Sequence, residues 1–333
     1  MTPPRAASPG IAFTPFETRV DLIVDTARSA ESMGFSSVSL AEAMSLASPI
    51  VLAQLALETE HIELATGVLS IWSRTPATLA LTAAQLSALS GGRFVLGLGA
   101  STPPLVEGFH GVPWAHPLDA LRRSLTAVQT LLAGDRLPTV PPGARGLRMA
   151  SPPTTPIPVA LASITTPGIR VAGQLADRWL PFLLPKAALD LGRELLAQAA
   201  RAAGRDHAPT VTACVPVALG PDEQSASQTA ARWLTTYCAR MGPVYPRVLR
   251  EWGYAAEVDA LLAANVDPRT PVLPRAADRL AQDVLIYGTF ADAAHTVSAW
   301  QRHADAVALT LPFDLPPRDL TAVLQALAPD RSV

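Results

Sequence analysis

Three short stretches hold side chains whose types and spacing suit chemistry. In VEGFHG, Glu107 and His110 stand three residues apart. That separation lets a carboxylate and an imidazole work as an acid/base pair if the loop turns inward, and equally lets them fix their own loop. In ASITTPGIR, the hydroxyls of Ser163, Thr165 and Thr166 precede Pro167-Gly168, a pair that opens helices. Free backbone amides and partial positive charge gather at a helix start, so these hydroxyls with the Gly168 amide suit a phosphate; a plain N-cap is the alternative. In LAEAM, Glu42 follows a run that reads as a strand and is either a site carboxylate or an ordinary rim residue.

Other chemistry is excluded by spacing. Cys214 and Cys238 lie far apart in apolar or helical settings, which reads as buried thiols rather than a zinc or redox site, and no metal is expected. In LSALSGGRFVLGLGAST, Gly97-Leu98-Gly99 lacks the third glycine of a dinucleotide loop, and Pro103-Pro104 stand where its helix would begin. These glycines read instead as a buried strand with a crowded end.

The elements that must position such residues are well marked. Apolar or β-branched runs end near Phe13, Leu40, Thr66, Leu98, Leu161, Leu180, Val217 and Leu311, and amphipathic segments separate them. A helix over Arg19 to Met33 is closed by Gly34, and one over Pro76 to Leu89 by Gly91. Eight strands alternating with helices predict an α/β fold, a (β/α)8 TIM barrel, ahead of a doubly wound sheet. A proline-rich excursion at about 133–157 and a helical insertion at about 237–285 interrupt the pattern, and neither has linker composition, so 1–333 reads as a single domain.

Composition bounds the partners. The 333 residues are 49% apolar and 16% charged, with a formal charge of -2 and no basic block, which argues against nucleic acid. No stretch of about 18 residues runs without a charge or helix breaker, and the N-terminus has no apolar leader. A cytoplasmic protein with a small-molecule substrate and no membrane contact is expected.

Together, TARSAESMGFSSVSLAEAM, IELATGVLSIWSRTPATLALTAAQLSALSGGRFVLGLGAST and VEGFHGVPW resemble the bacterial luciferase-like oxidoreductases (the LLM class), closest to the branch that uses the deazaflavin coenzyme F420. PIPVALASITTPGIRVAGQLADRWLPFLLP is similar to the family's phosphate-loop block, YPRVLREWGYAAEVDALL to its late helical insertion, and DVLIYGTFADAAHTVSAW to its closing segment. The resemblance implies a luciferase-like barrel with a flavin or deazaflavin ring in its C-terminal mouth, and a homodimer. It places a non-proline cis peptide at Gly67-Val68, whose bulge supports the ring. It also draws Ser70, Ser101, Ser163, Thr165, Thr166 and Gly168 toward the cofactor. Phe13, Trp72, Phe109, Trp114 and Trp179 would then wall an apolar substrate pocket, with Glu42, then Glu107, as proton source.

The chain departs from the family at three places. The Asp-His or Glu-His pair after the second strand reads Glu42-Ala43, so the imidazole is missing. The glycine-proline pair of the phosphate loop reads Thr165-Thr166, and the family's Ala-Asp-Gly reads Ala176-Asp177-Arg178. Three functions follow. The first is hydride transfer from reduced F420 to a small hydrophobic substrate; the second is a monooxygenase using reduced FMN and dioxygen; the third is a barrel that has lost its cofactor.

Overall fold

The computed structural model describes residues 8–137 and 140–329. Among them, ten strands form one parallel sheet: β1 (Gly10–Phe13), β2 (Ser37–Leu40), β3 (Glu63–Thr66), β4 (Leu69–Ser70), β5 (Phe94–Gly99), β6 (Val159–Ala162), β7 (Arg178–Trp179), β8 (Thr210–Gly220), β9 (Ile286–Thr289) and β10 (Ala306–Thr310). Pairing runs β10-β1-β2-β3-β5-β6-β7-β8, and β8 pairs with β10 to close the ring. After a two-residue interruption β4 resumes the course of β3 and pairs with β5. Counting those two as one stave gives the eight staves of a (β/α)8 barrel. The ninth strand lies outside the ring, against Val217–Gly220 of the long β8.

Helices return the chain between staves, as parallel pairing requires. The helix Val20–Met33 ends where Gly34 adopts φ 88 and donates to the carbonyls of Ala30 and Glu31. The helix Pro76–Leu89 starts on Thr75, whose side chain accepts the Thr78 N–H, and stops at Gly91 and Gly92, both with positive φ. Glycine supplies that left-handed backbone at no steric cost.

Staves covered on both sides read as continuous apolar runs. In β5, Phe94, Leu96 and Leu98 join the large core between sheet and helices, while Val95, Gly97 and Gly99 alternate onto the barrel interior. The segment 133–158 runs irregularly over the surface wherever it is described, apart from a turn. From 236 on, a π-helical turn and the helices Val244–Glu251, Ala255–Ala264 and Asp278–Val284 fold around a second apolar cluster that includes Trp233, Leu261 and Leu280.

Candidate active site

The C-terminal ends of the staves surround a cavity of about 670 Å³, within the size range of small-molecule sites. Phe13, Ser39, Gly67, Val68, Gly99, Ala162, Leu180, Cys214 and Thr310 line it from the strand ends. Active sites of this architecture are built at this face.

The β3–β4 interruption supplies its most distinctive backbone. The Gly67-Val68 peptide is cis, as the resemblance implies. It is tied to β2 on both sides: the Gly67 N–H donates to the Leu40 carbonyl at 2.7 Å, and the Val68 carbonyl accepts the Glu42 N–H at 3.3 Å. Thr66 locks it to β5, its hydroxyl oxygen accepting the Gly97 N–H at 2.8 Å and donating to the Gly97 carbonyl at 2.9 Å. A Cβ on Gly97 would lie 2.0 Å from the Thr66 carbonyl oxygen, and one on Gly99 3.0 Å from a Val68 methyl. The two glycines of GLG therefore make room for the bulge that enters the cavity.

Glu42 lines the cavity beside that bulge, but its oxygens are already engaged. Arg74 grips it with two guanidinium nitrogens at 2.5 and 3.0 Å, and the Ser48 N–H donates to Oε2 at 3.0 Å. With two donors on Oε2 and the Arg74 guanidinium across both oxygens, the geometry suits a brace between β2 and the β4 loop better than the proton source expected from sequence.

The hydroxyl loop after β6 also meets the cavity, through Ser163, Thr165, Thr166 and Pro167. Thr165 is the N-cap of the helix Thr166–Leu175, its Oγ1 accepting the Gly168 N–H at 3.4 Å. Gly168 is buried and does not line the cavity, so its amide serves the cap and not an open anion seat. A Cβ there would sit 1.9 Å from the Ser163 oxygen, which explains the glycine. The Ser163 and Thr166 hydroxyls remain as ligand donors, which suits a phosphate at the helix start.

Several expected residues lie elsewhere. Glu107 is exposed and accepts the Trp114 N–H at 3.2 Å, while His110 packs edge-on to Phe109; the pair fixes its own loop and neither lines the cavity. Phe109 is 54% exposed. Ser70 is buried and accepts the Trp72 N–H one step behind the bulge. Trp72 and Trp114 both donate their indole N–H to the Ala100 carbonyl, at 2.8 and 3.2 Å, and of the two only Trp114 reaches the cavity. That shared carbonyl precedes Ser101, which lines the cavity in the left-handed region, φ 61. Trp179 is fully buried between β7 and the helix Lys186–Ala202, its indole donating to the Ser163 carbonyl at 2.7 Å, so it supports the hydroxyl loop from behind. Arg178 pairs with Glu63 at 2.6 and 2.7 Å where β7 and β3 begin, at the opposite end of the barrel from the cavity.

Sequence reasoning missed the far wall. Phe182, Tyr237, Met241 and Tyr245 line it, with Arg247 and Glu251 on the same helix as Tyr245. Tyr237 centres an aromatic cluster, 4.7 Å from Phe182, 5.2 Å from Tyr245 and 6.0 Å from Trp233 between ring centroids. Burial pushes the Cys214 thiol up to about 12 and raises both tyrosines well above their ordinary value. The aromatic spacing from Tyr237 to Tyr245 was the available signal, but nothing local says that an insertion folds back over the mouth. Thr310, at the end of β10, has a buried hydroxyl with no hydrogen-bond partner among the described residues.

A closed parallel barrel with a bulged third stave, an apolar cavity at its C-terminal mouth and a hydroxyl loop at a helix start define a ligand-binding enzyme of the luciferase-like class. The chain matches the luciferase-like monooxygenase family over residues 5–308 and belongs to it. A Mycobacterium tuberculosis protein whose name gives it, provisionally, as a coenzyme F420-dependent oxidoreductase is 28% identical over 298 residues, which span 82% of this chain and 85% of that one. The structure is similar to coenzyme F420-dependent tetrahydromethanopterin reductase from Methanopyrus kandleri, with TM-score 0.75 and 18% identity over 97% of this chain and 98% of that one. It is also similar to the FMN-bound oxygenating constituent of 3,6-diketocamphane monooxygenase from Pseudomonas putida, with TM-score 0.70 and 21% identity over 98% and 99%. Among the described residues no helix is long and apolar enough to cross a membrane, and no group of three or more His, Cys, Asp or Glu is placed to hold a metal.

Proposed function

We propose that this chain is a cytoplasmic oxidoreductase that uses reduced coenzyme F420 to reduce a small, largely apolar organic substrate. The observation that carries the reading is the Gly67-Val68 bulge, which the glycines of β5 admit into an apolar cavity large enough for a flat tricyclic ring and a substrate. The residues present fit such a group: a backbone ledge for the ring, and the Ser163 and Thr166 hydroxyls at a helix start for its phosphate. The M. tuberculosis relative's name and the F420 named for the M. kandleri enzyme favour the deazaflavin.

When bound, the reduced deazaflavin supplies a hydride. The chain's own residues prepare the place. The bulge fixes the height of the ledge, the Glu42–Arg74 pair holds the loops after β2 and β4 together, and the apolar walls keep water from the reacting centre. Ala43 leaves no imidazole after the second stave, and Glu42 is committed to Arg74.

The missing imidazole favours a second reading, a monooxygenase using reduced FMN and dioxygen, to which the FMN-bound neighbour also lends weight. Assays with and without oxygen separate the two. Anaerobic, substrate-dependent oxidation of reduced F420 is expected; oxygen-dependent product formation with reduced FMN alone would favour the second reading, and turnover without either would leave the cofactor-free barrel.

A further inference from the structure

The barrel order places β8 diametrically opposite β3 in the ring of eight staves. The aromatic wall that follows β8 therefore faces the Gly67-Val68 bulge across the cavity, and a ring lying on the bulge leaves its substrate between the two. That wall is not uniformly apolar, because Tyr237 and Tyr245 each bring a hydroxyl to it.

Neither hydroxyl has a hydrogen-bond partner among the described residues, and neither is among the sealed, unpartnered oxygens, which are those of Ser48, Thr235 and Thr310. Both phenols thus open on the cavity with an unused donor. A buried hydroxyl in an apolar wall is costly unless something accepts from it. Their neighbours on that wall are Phe182, Met241, Val244 and the neutral thiol of Cys214. The cation on that wall, Arg247, is 61% exposed and pairs with Glu251 at 3.8 Å, so its charge is balanced by a neighbouring carboxylate.

We propose that Tyr237 and Tyr245 are specificity-determining residues whose hydroxyls donate to the carbonyl oxygen of a neutral, largely apolar ketone or aldehyde. A carbonyl oxygen carries two lone pairs and can take both donors at once. Desolvation keeps both phenols protonated at any physiological pH, so the donors persist. The assignment rests on the redox reading above only for the place of the reacting ring.

Two measurements test it on the whole chain without cofactor. The first is the infrared carbonyl stretch of bound acetophenone in the wild-type protein: a shift to lower wavenumber than in a hydrocarbon solvent is expected, and an unshifted band, or no binding, overturns the proposal. The second compares affinities for acetophenone and α-methylstyrene, in which a CH2 group replaces the carbonyl oxygen. In the Tyr237→Phe/Tyr245→Phe variant the ketone-to-alkene affinity ratio should fall by about fivefold or more, with α-methylstyrene binding retained. An unchanged ratio overturns it. So does a loss of F420 and FMN affinity in the same variant, which would assign the hydroxyls to the cofactor. Failure of the wild type to bind either cofactor would overturn the redox reading while leaving a ketone preference intact.

Discussion

At the scale of single residues, the site mixes groups that reach the cavity with groups that hold those in place. Glu42 belongs to the second kind, because three donors converge on its carboxylate. A double-mutant cycle with Glu42→Gln and Arg74→Met should return a coupling energy of about 1–3 kcal/mol in chemical denaturation; additive effects would show the pair to be incidental. The two threonines of the hydroxyl loop separate in the same way. Thr165→Val removes the cap and should cost about 1 kcal/mol of stability with little change in cofactor binding. Thr166→Val should leave stability nearly intact and weaken cofactor binding by about 1 kcal/mol, the value of one donated hydrogen bond. The opposite split, read by denaturation and spectral titration, would exchange their roles.

At the scale of elements, the turn and strand SGGRFVLGLG joins two tasks. Arg93 gathers the carbonyls of Ala56, Thr59, Ile62 and Ser90 and so seats the helix Ser48–Glu58 on the start of β5, while Gly97 and Gly99 admit the bulge at its end. Gly97→Ala should destabilise by about 3 kcal/mol, since its Cβ would meet backbone; Gly108→Ala, where a Cβ meets nothing within 4 Å, should stay within about 0.5 kcal/mol. Comparable unfolding midpoints for the two variants would contradict this account of the strand. The staves and the helix ends were legible in the sequence because their signals are local: apolar runs of strand length, prolines at helix starts and glycines after helix ends. The Gly67-Val68 bulge was legible only through family resemblance. What stayed hidden depends on which way a loop turns. Trp179 and Trp72 reach backwards to carbonyls, Glu107 caps its own loop, and Tyr237 with Tyr245 folds inward from a segment far upstream of the last stave, Ala306–Thr310. None of these directions is set by the residue's immediate neighbours.

At the scale of the whole molecule, two adjacent helices carry more apolar surface than the barrel covers. Ile50 and Leu57 on Ser48–Glu58 are 73% and 71% exposed, and Leu81 and Leu89 on Pro76–Leu89 are 54% and 44% exposed. Helices apolar on all sides have a second face to bury, and we propose that a second copy of the chain covers it. Sedimentation should find a dimer that Leu57→Arg with Leu81→Arg dissociates; a monomeric wild type would contradict this. The central claim is that the cavity at the barrel mouth holds a reduced-ring cofactor on the Gly67-Val68 bulge. Its most direct test is spectral titration of the purified chain with coenzyme F420 and with FMN. Saturable binding with a perturbed ring spectrum, tighter for F420 and weakened in Thr166→Val, is the predicted result; unperturbed spectra with both, up to millimolar cofactor, would contradict it.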